Sequence, residues 1–142
     1  MALTSKKVMI APSAFLAFID RAHPKHPQSA AFFRYFAQEK YQVFTGLLSI
    51  EETYREIYNK ISPILARDFI RALILLSNIN ILYPTEADTK ATIKTLMNNK
   101  STGLSFKDAQ MAVLCNRHSI SQICTFDYLH QLFGLTSFYL PI

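Results

Sequence analysis

The chain has 142 residues, of which half are hydrophobic and 18% charged, against about 25% charged in ordinary soluble domains. That excludes a disordered chain, and only three glycines argue against a turn-rich all-β sandwich. Fifteen Lys and Arg against ten Asp and Glu leave a net charge of +5 and a pI near 9.3, a surplus that suits a polyanionic partner without requiring one.

Lys7 to Ile10 is a short β-prone apolar run, and Pro12 and Ser13 punctuate it. Ala14, Phe15, Leu16, Phe18 and Ile19 follow at helical density, and proline suits a first helical turn because its missing N–H would be unpaired there. Asp20 to Pro27 is a polar connection. Gln28 to Glu39 carries Ala30, Phe32, Phe33 and Phe36 on a helical stripe, and Tyr41 to Phe44 is a second strand. Leu47 to Ile57 returns to helical spacing. Ser62 and Pro63 open a longer helix to about Leu76, and Ile79 to Leu82 is a third strand. Thr85 caps a helix to about Asn98, with Glu86 and Asp88 in its first turn, where the helix dipole favours carboxylates. Ser105 caps the next, with Asp108 three residues on as in a capping box. Ile120 to Cys124 is a fourth strand, Asp127 to Phe133 a short helix or turn, and Thr136 to Leu140 a last strand.

Short strands alternating with longer helices predict an α/β fold: a three-layer sandwich with a central, mainly parallel sheet of four to five strands flanked by helices. Residues 1–142 read as a single domain. Cys115 and Cys124 have neither CxxC nor metal-ligand spacing and read as free buried thiols in a reduced, cytoplasmic protein. The longest apolar stretch, Ala72 to Leu76, is far short of the roughly 20 residues that span a bilayer, so no membrane is expected. The Phe32, Phe33, Tyr35 and Phe36 group, Met97 and Met111 read as core, and neither His118 nor His130 reads as a ligand.

Ligands of an open α/β sheet bind beyond the carboxyl ends of its strands. Ala11, Pro12 and Ser13 follow the first strand, Glu51 and Glu52 open the helix after the second, Asp108 stands in the first turn of its helix, and Thr125, Phe126 and Asp127 follow the fourth. Clustered carboxylates repel one another unless a cation is present. Such a set asks for a hard divalent ion, Mg²⁺ or Mn²⁺, which can activate water and stabilise a phosphodiester transition state. A phosphate-accepting receiver domain shares the pattern, but Ala11-Pro12 and Tyr83-Pro84 do not supply its acids.

Leu104-Ser105-Phe106-Lys107-Asp108-Ala109 resembles the LSxxDA helix start of the PIN-domain family of metal-dependent ribonucleases, especially its VapC-like toxins. Ile123 to Asp127 with Gly134 resembles that family's TFDxxFxxxG segment, with His130 in place of its phenylalanine. Glu52-Thr53 matches its strand-to-helix glutamate, and Asp20 and His26 fit the loop after its first helix. The resemblance runs from about Val8 to Tyr139. It implies a PIN-type endoribonuclease in which Glu52, Asp108 and Asp127 coordinate Mg²⁺ or Mn²⁺, and Ser13 and Thr125 hydrogen-bond a water, carboxylate or phosphate. One position departs: where the family's first strand ends in aspartate, this chain has Ala11, either a natural loss or an introduced change. The expected activity is therefore low or nil. The competing expectation is a non-catalytic PIN-fold module that binds RNA or protein. Lys7, Lys25, Lys107 and Arg117 are the expected RNA rim. Tyr54, Ile57, Tyr58, Ile61, Ile64, Leu65 and Phe69 form the surface on which the resemblance implies an antitoxin partner and a homodimer.

Overall fold

Val8, Met9 and Ile10 are fully buried, because the strand that carries them has neighbours on both edges and helices on both faces. The computed structural model describes residues 6–75, 78–99, 103–127 and 134–140. Its strands are β1 (Lys7–Ile10), β2 (Gln42–Gly46), β3 (Ile79–Leu82), β4 (Gln122–Cys124) and β5 (Thr136–Ser137). They form one sheet in the order β3-β2-β1-β4-β5, and every pairing is parallel. Its helices are α1 (Pro12–Ile19), α2 (His26–Gln38), α3 (Leu47–Lys60), α4 (Pro63–Leu75), α5 (Glu86–Asn98) and α6 (Phe106–Arg117).

Successive residues of β1 face opposite layers. Val8 and Ile10 join Phe15, Phe32, Phe36, Ile57, Phe69 and Leu73 of α1 to α4, while Met9 and Ala11 join Met111, Ala112, Leu114 and Cys115 of α6. The expected sandwich is thus present with five strands. The aromatic residues of α2 are core, as the sequence implied: the Phe36 and Phe138 rings lie 4.7 Å apart and the Phe32 and Phe126 rings 5.7 Å. Met111 is buried, but Met97 is 80% exposed, a correction to its reading as core. The described residues of α5 bury only Asp88 and Thr92, so its outer face, with Met97, is left to solvent.

The last strand is shorter than expected, two residues rather than five; the Phe138 amide still donates to the Ile123 carbonyl at 2.9 Å, and its ring enters the aromatic cluster. The expected element over 127–133 and residue His130 lie outside the described residues, Asp127 excepted. Asp20 and His26 secure the loop after α1. The Ala22 amide donates to Asp20 Oδ1 at 3.1 Å, and His26 Nδ1 lies 2.9 Å from the Ala17 carbonyl. No helix among the described residues is long and apolar enough to cross a membrane.

The chain steps from β1 to β2 and β3 on one side, and returns to β4 and β5 on the other. The order therefore reverses between β1 and β4, and the crevice beyond their carboxyl ends is where a sheet of this kind takes a ligand.

Candidate functional site at the carboxyl edge of the sheet

Ala11 and Thr125, the residues just after β1 and β4, border that crevice. The Ala11 amide donates to the Cys124 carbonyl at 3.0 Å and continues the ladder. Ala11 is also the N-cap of α1, with no side-chain hydrogen bond to the helix amides, a poor capping choice where Asp, Asn or Ser is preferred. Its side chain is 2% exposed in the apolar cluster on the α6 layer.

Ser13 and Thr125 meet across the crevice, their hydroxyls 3.1 Å apart. The Phe126 amide donates to Ser13 Oγ at 2.9 Å, and the Asp127 amide donates to Thr125 Oγ1 at 3.1 Å. The two hydroxyls thus pin the start of α1 to the end of β4. One donates to the other, which leaves the second hydroxyl's hydrogen for a further acceptor.

Gly46, the N-cap of α3, lets α3 approach α6: a Cβ there would meet Leu114 Cδ1 at 3.1 Å. Glu51 turns outward and takes Arg55 Nε at 2.9 Å. Glu52 turns inward, 100° further round the helix. At the start of α6, Ser105 Oγ accepts the Asp108 amide at 3.1 Å. The capping box is only half made, because the Asp108 carboxylate is ion-paired with Lys107 instead. Lys107 Nζ lies 2.8 Å from Asp108 Oδ1 and 3.7 Å from Glu52 Oε2, with its side chain 16% exposed.

Two of the three expected acids therefore converge, and they do so on an ammonium of the chain itself. The third does not join them. Asp127 is exposed, and among the described residues its carboxylate makes no hydrogen bond or ion pair with Glu52, Asp108 or Lys107. Among the described residues no group of three His, Cys, Asp or Glu is close enough to hold a metal ion. With Ala11 offering no oxygen and Lys107 seated on the acids, these residues as arranged do not fit the three-acid Mg²⁺ or Mn²⁺ site expected from the sequence.

The expected RNA rim is also redistributed. Lys7 Nζ donates to the His118 carbonyl at 3.0 Å, and Arg117 pairs with Asp88 at 2.9 Å. Both contacts lie at the far end of α6, where Arg117 is nine residues past Asp108 and so about 14 Å along the helix. Lys107 is committed to the acids. Lys25 and Arg117 are the exposed members of the four, and of these two Lys25, at the start of α2, has no ion pair among the described residues.

At that far end the electrostatics are strong. Burial works to raise the Asp88 carboxyl, but the Thr85 amide and hydroxyl and the Arg117 guanidinium outweigh it and hold the carboxyl below the usual range. Burial, with the Arg117 and Lys7 charges, holds the His118 imidazole below its ordinary value against the opposing pull of Asp88. Burial pushes the free thiols of Cys115 and Cys124 up to about 12, so both are un-ionised at neutral pH.

On the expected partner surface, Ile57 and Phe69 are buried and belong to the core, a correction. Tyr54 and Leu65 are half-buried, and Tyr58, Ile61 and Ile64 are exposed.

The fold matches that of VapC20 of Mycobacterium tuberculosis, a toxin that cleaves the sarcin–ricin loop, with a TM-score of 0.74 at 17% identity over 89% of this chain and 92% of that one. It also matches FitAcB of Neisseria gonorrhoeae, with a TM-score of 0.68 at 14% identity over 93% and 96%. No curated protein sequence matches the chain. The PIN domain family profile matches residues 12–131, and the chain belongs to the PIN domain family.

Proposed function

We propose that this chain is a toxin-type PIN ribonuclease domain that engages RNA at the carboxyl edge of its sheet and cleaves it slowly or not at all. One observation carries the reading: Glu52 and Asp108, from separate helices, meet on Lys107, and Ser13 and Thr125 meet just beyond β1 and β4, while residue 11 is alanine. The hydroxyl hydrogen left over by that pair suits a phosphate oxygen, and Lys25 supplies exposed positive charge at the start of α2. The Ala11 side chain lies in one cluster with Met111 and Ala112, one turn on from Asp108. A carboxylate at position 11 would therefore enter the layer in which Asp108 stands. Mg²⁺ or Mn²⁺ is the cofactor we assign to a site so restored, where it would activate water and neutralise phosphate charge.

RNA-binding and cleavage assays in Mg²⁺ and Mn²⁺ test this. The unaltered chain should bind RNA with an affinity that falls as salt rises. Its cleavage should lie about 100-fold or more below that of Ala11→Asp, a difference of ~3 kcal/mol in barrier. Brisk cleavage by the unaltered chain would refute the impairment, and absence of RNA binding at low salt would refute the RNA reading. A second reading, a non-catalytic PIN module, is favoured by the Lys107 ammonium on the acids. It gains if a folded Ala11→Asp protein stays inactive.

The exposed Tyr58, Ile61 and Ile64 on α3 and α4 are our proposed docking surface for an antitoxin-like protein or a second copy. Gel filtration with light scattering distinguishes the two. The buried, un-ionised thiols accord with a cytoplasmic protein.

A further inference from the structure

We propose that Lys107 is a built-in counter-cation that closes the acidic site to divalent ions, so that metal affinity is limited by Lys107 as well as by the missing acid at position 11. The proposal rests on the reading of this edge as an impaired phosphodiester-handling site.

Adjacent residues of a helix point about 100° apart and do not ordinarily face each other. Lys107 and Asp108 nevertheless touch at 2.8 Å, so the lysine side chain folds back across the start of α6. It is 16% exposed, although a lysine on a first turn ordinarily extends its ammonium into water. Its end lies between two carboxylates on different helices, 26% and 31% exposed. Two acids this close need a cation to offset their repulsion, and a residue of the chain supplies it. Mg²⁺ commonly takes one or two carboxylates and keeps several waters, so Glu52 and Asp108 alone provide enough charge to attract one. A divalent ion arriving there must first displace the ammonium.

The test is Mn²⁺ binding to the full chain without RNA, read by electron paramagnetic resonance of free Mn²⁺. Lys107→Met should raise affinity about tenfold or more, ~1.4 kcal/mol, with Ala11 still in place. Lys107→Arg, which keeps the charge, should not. Adding Asp108→Asn to Lys107→Met should abolish the gain. Lys107→Gln repeats the measurement if the methionine variant fails to melt cooperatively. Unchanged affinity in folded Lys107→Met or Lys107→Gln overturns the proposal, as does a gain that survives Asp108→Asn. These readouts involve no RNA, so their failure is separable from failure of the ribonuclease reading.

Discussion

The two ends of α6 carry the same chemical parts in different arrangements. At the C-terminal end, Asp88 is nearly inaccessible, and its Oδ2 is held by two donors. Its carboxylate accepts the Thr85 amide at 2.9 Å and Arg117 at 2.9 Å, within a complete capping box. At the N-terminal end, Ser105 caps the helix but Asp108 does not complete the box, and two part-exposed acids share one lysine. An acid whose bonds are all used locally holds structure together. An acid diverted from its cap, placed against a second acid at the switch point of a parallel sheet, retains capacity for a ligand.

Substitutions should separate the ends by stability. Asp88→Ala removes a cap, a charge-assisted bond and the partner of Arg117, and should cost about 2–3 kcal/mol. Glu52→Gln and Asp108→Asn relieve repulsion between acids and should each change stability by less than about 1 kcal/mol. Urea unfolding with an unchanged slope reads both. Equal losses at the two ends would erase the distinction.

The next effect is a pH dependence arising at the C-terminal end. The folded state holds His118 below its ordinary value, so the unfolded chain binds the proton more readily. Stability from this source is present above the unfolded value, about 6.5, and is lost as pH falls through the folded value. Asp88 also titrates below its unfolded value, about 3.9, so its contribution is lost at more acid pH still. His118→Asn should therefore flatten the stability profile between about pH 7 and 5, and Asp88→Asn should flatten it below about pH 4. Thermal melts across pH that show the same slopes in both variants would contradict the assignment.

What was legible in the sequence follows the same division. Val8-Met9-Ile10 is apolar throughout because both faces of β1 are covered, so run length alone marks a central parallel strand. Ser62-Pro63 and Thr85 mark their helix starts through local hydrogen bonds that depend on few distant residues. The site needed more. The LSxxDA segment locates Asp108, but nothing local says that the preceding lysine folds back onto a glutamate from α3. Lys107 therefore read as a phosphate-facing cation. Lys7 and Arg117 read the same way, because position along a chain does not tell which end of a helix a charge will occupy. Met97 followed its hydropathy into an expected core that α5 does not provide. The one signal available for Lys107 was its place, a cation directly before a first-turn acid.

The smallest effect probes what holds the start of α1 against the end of β4. The Ser13 and Thr125 hydroxyls are each bonded to an amide beyond β4 as well as to each other. Thr125→Val keeps the branched shape, drops the hydroxyl, and frees the Asp127 amide to water because Asp127 is exposed. The expected cost is about 1 kcal/mol, the net worth of an ordinary hydrogen bond. Ser13→Ala should cost about as much. The double variant should cost less than the sum, because the two share one bond. Strict additivity in denaturant titrations would mean that the hydroxyls act separately. The crevice would then be shaped by the strand ladder at Ala11 and Cys124 rather than by this pair.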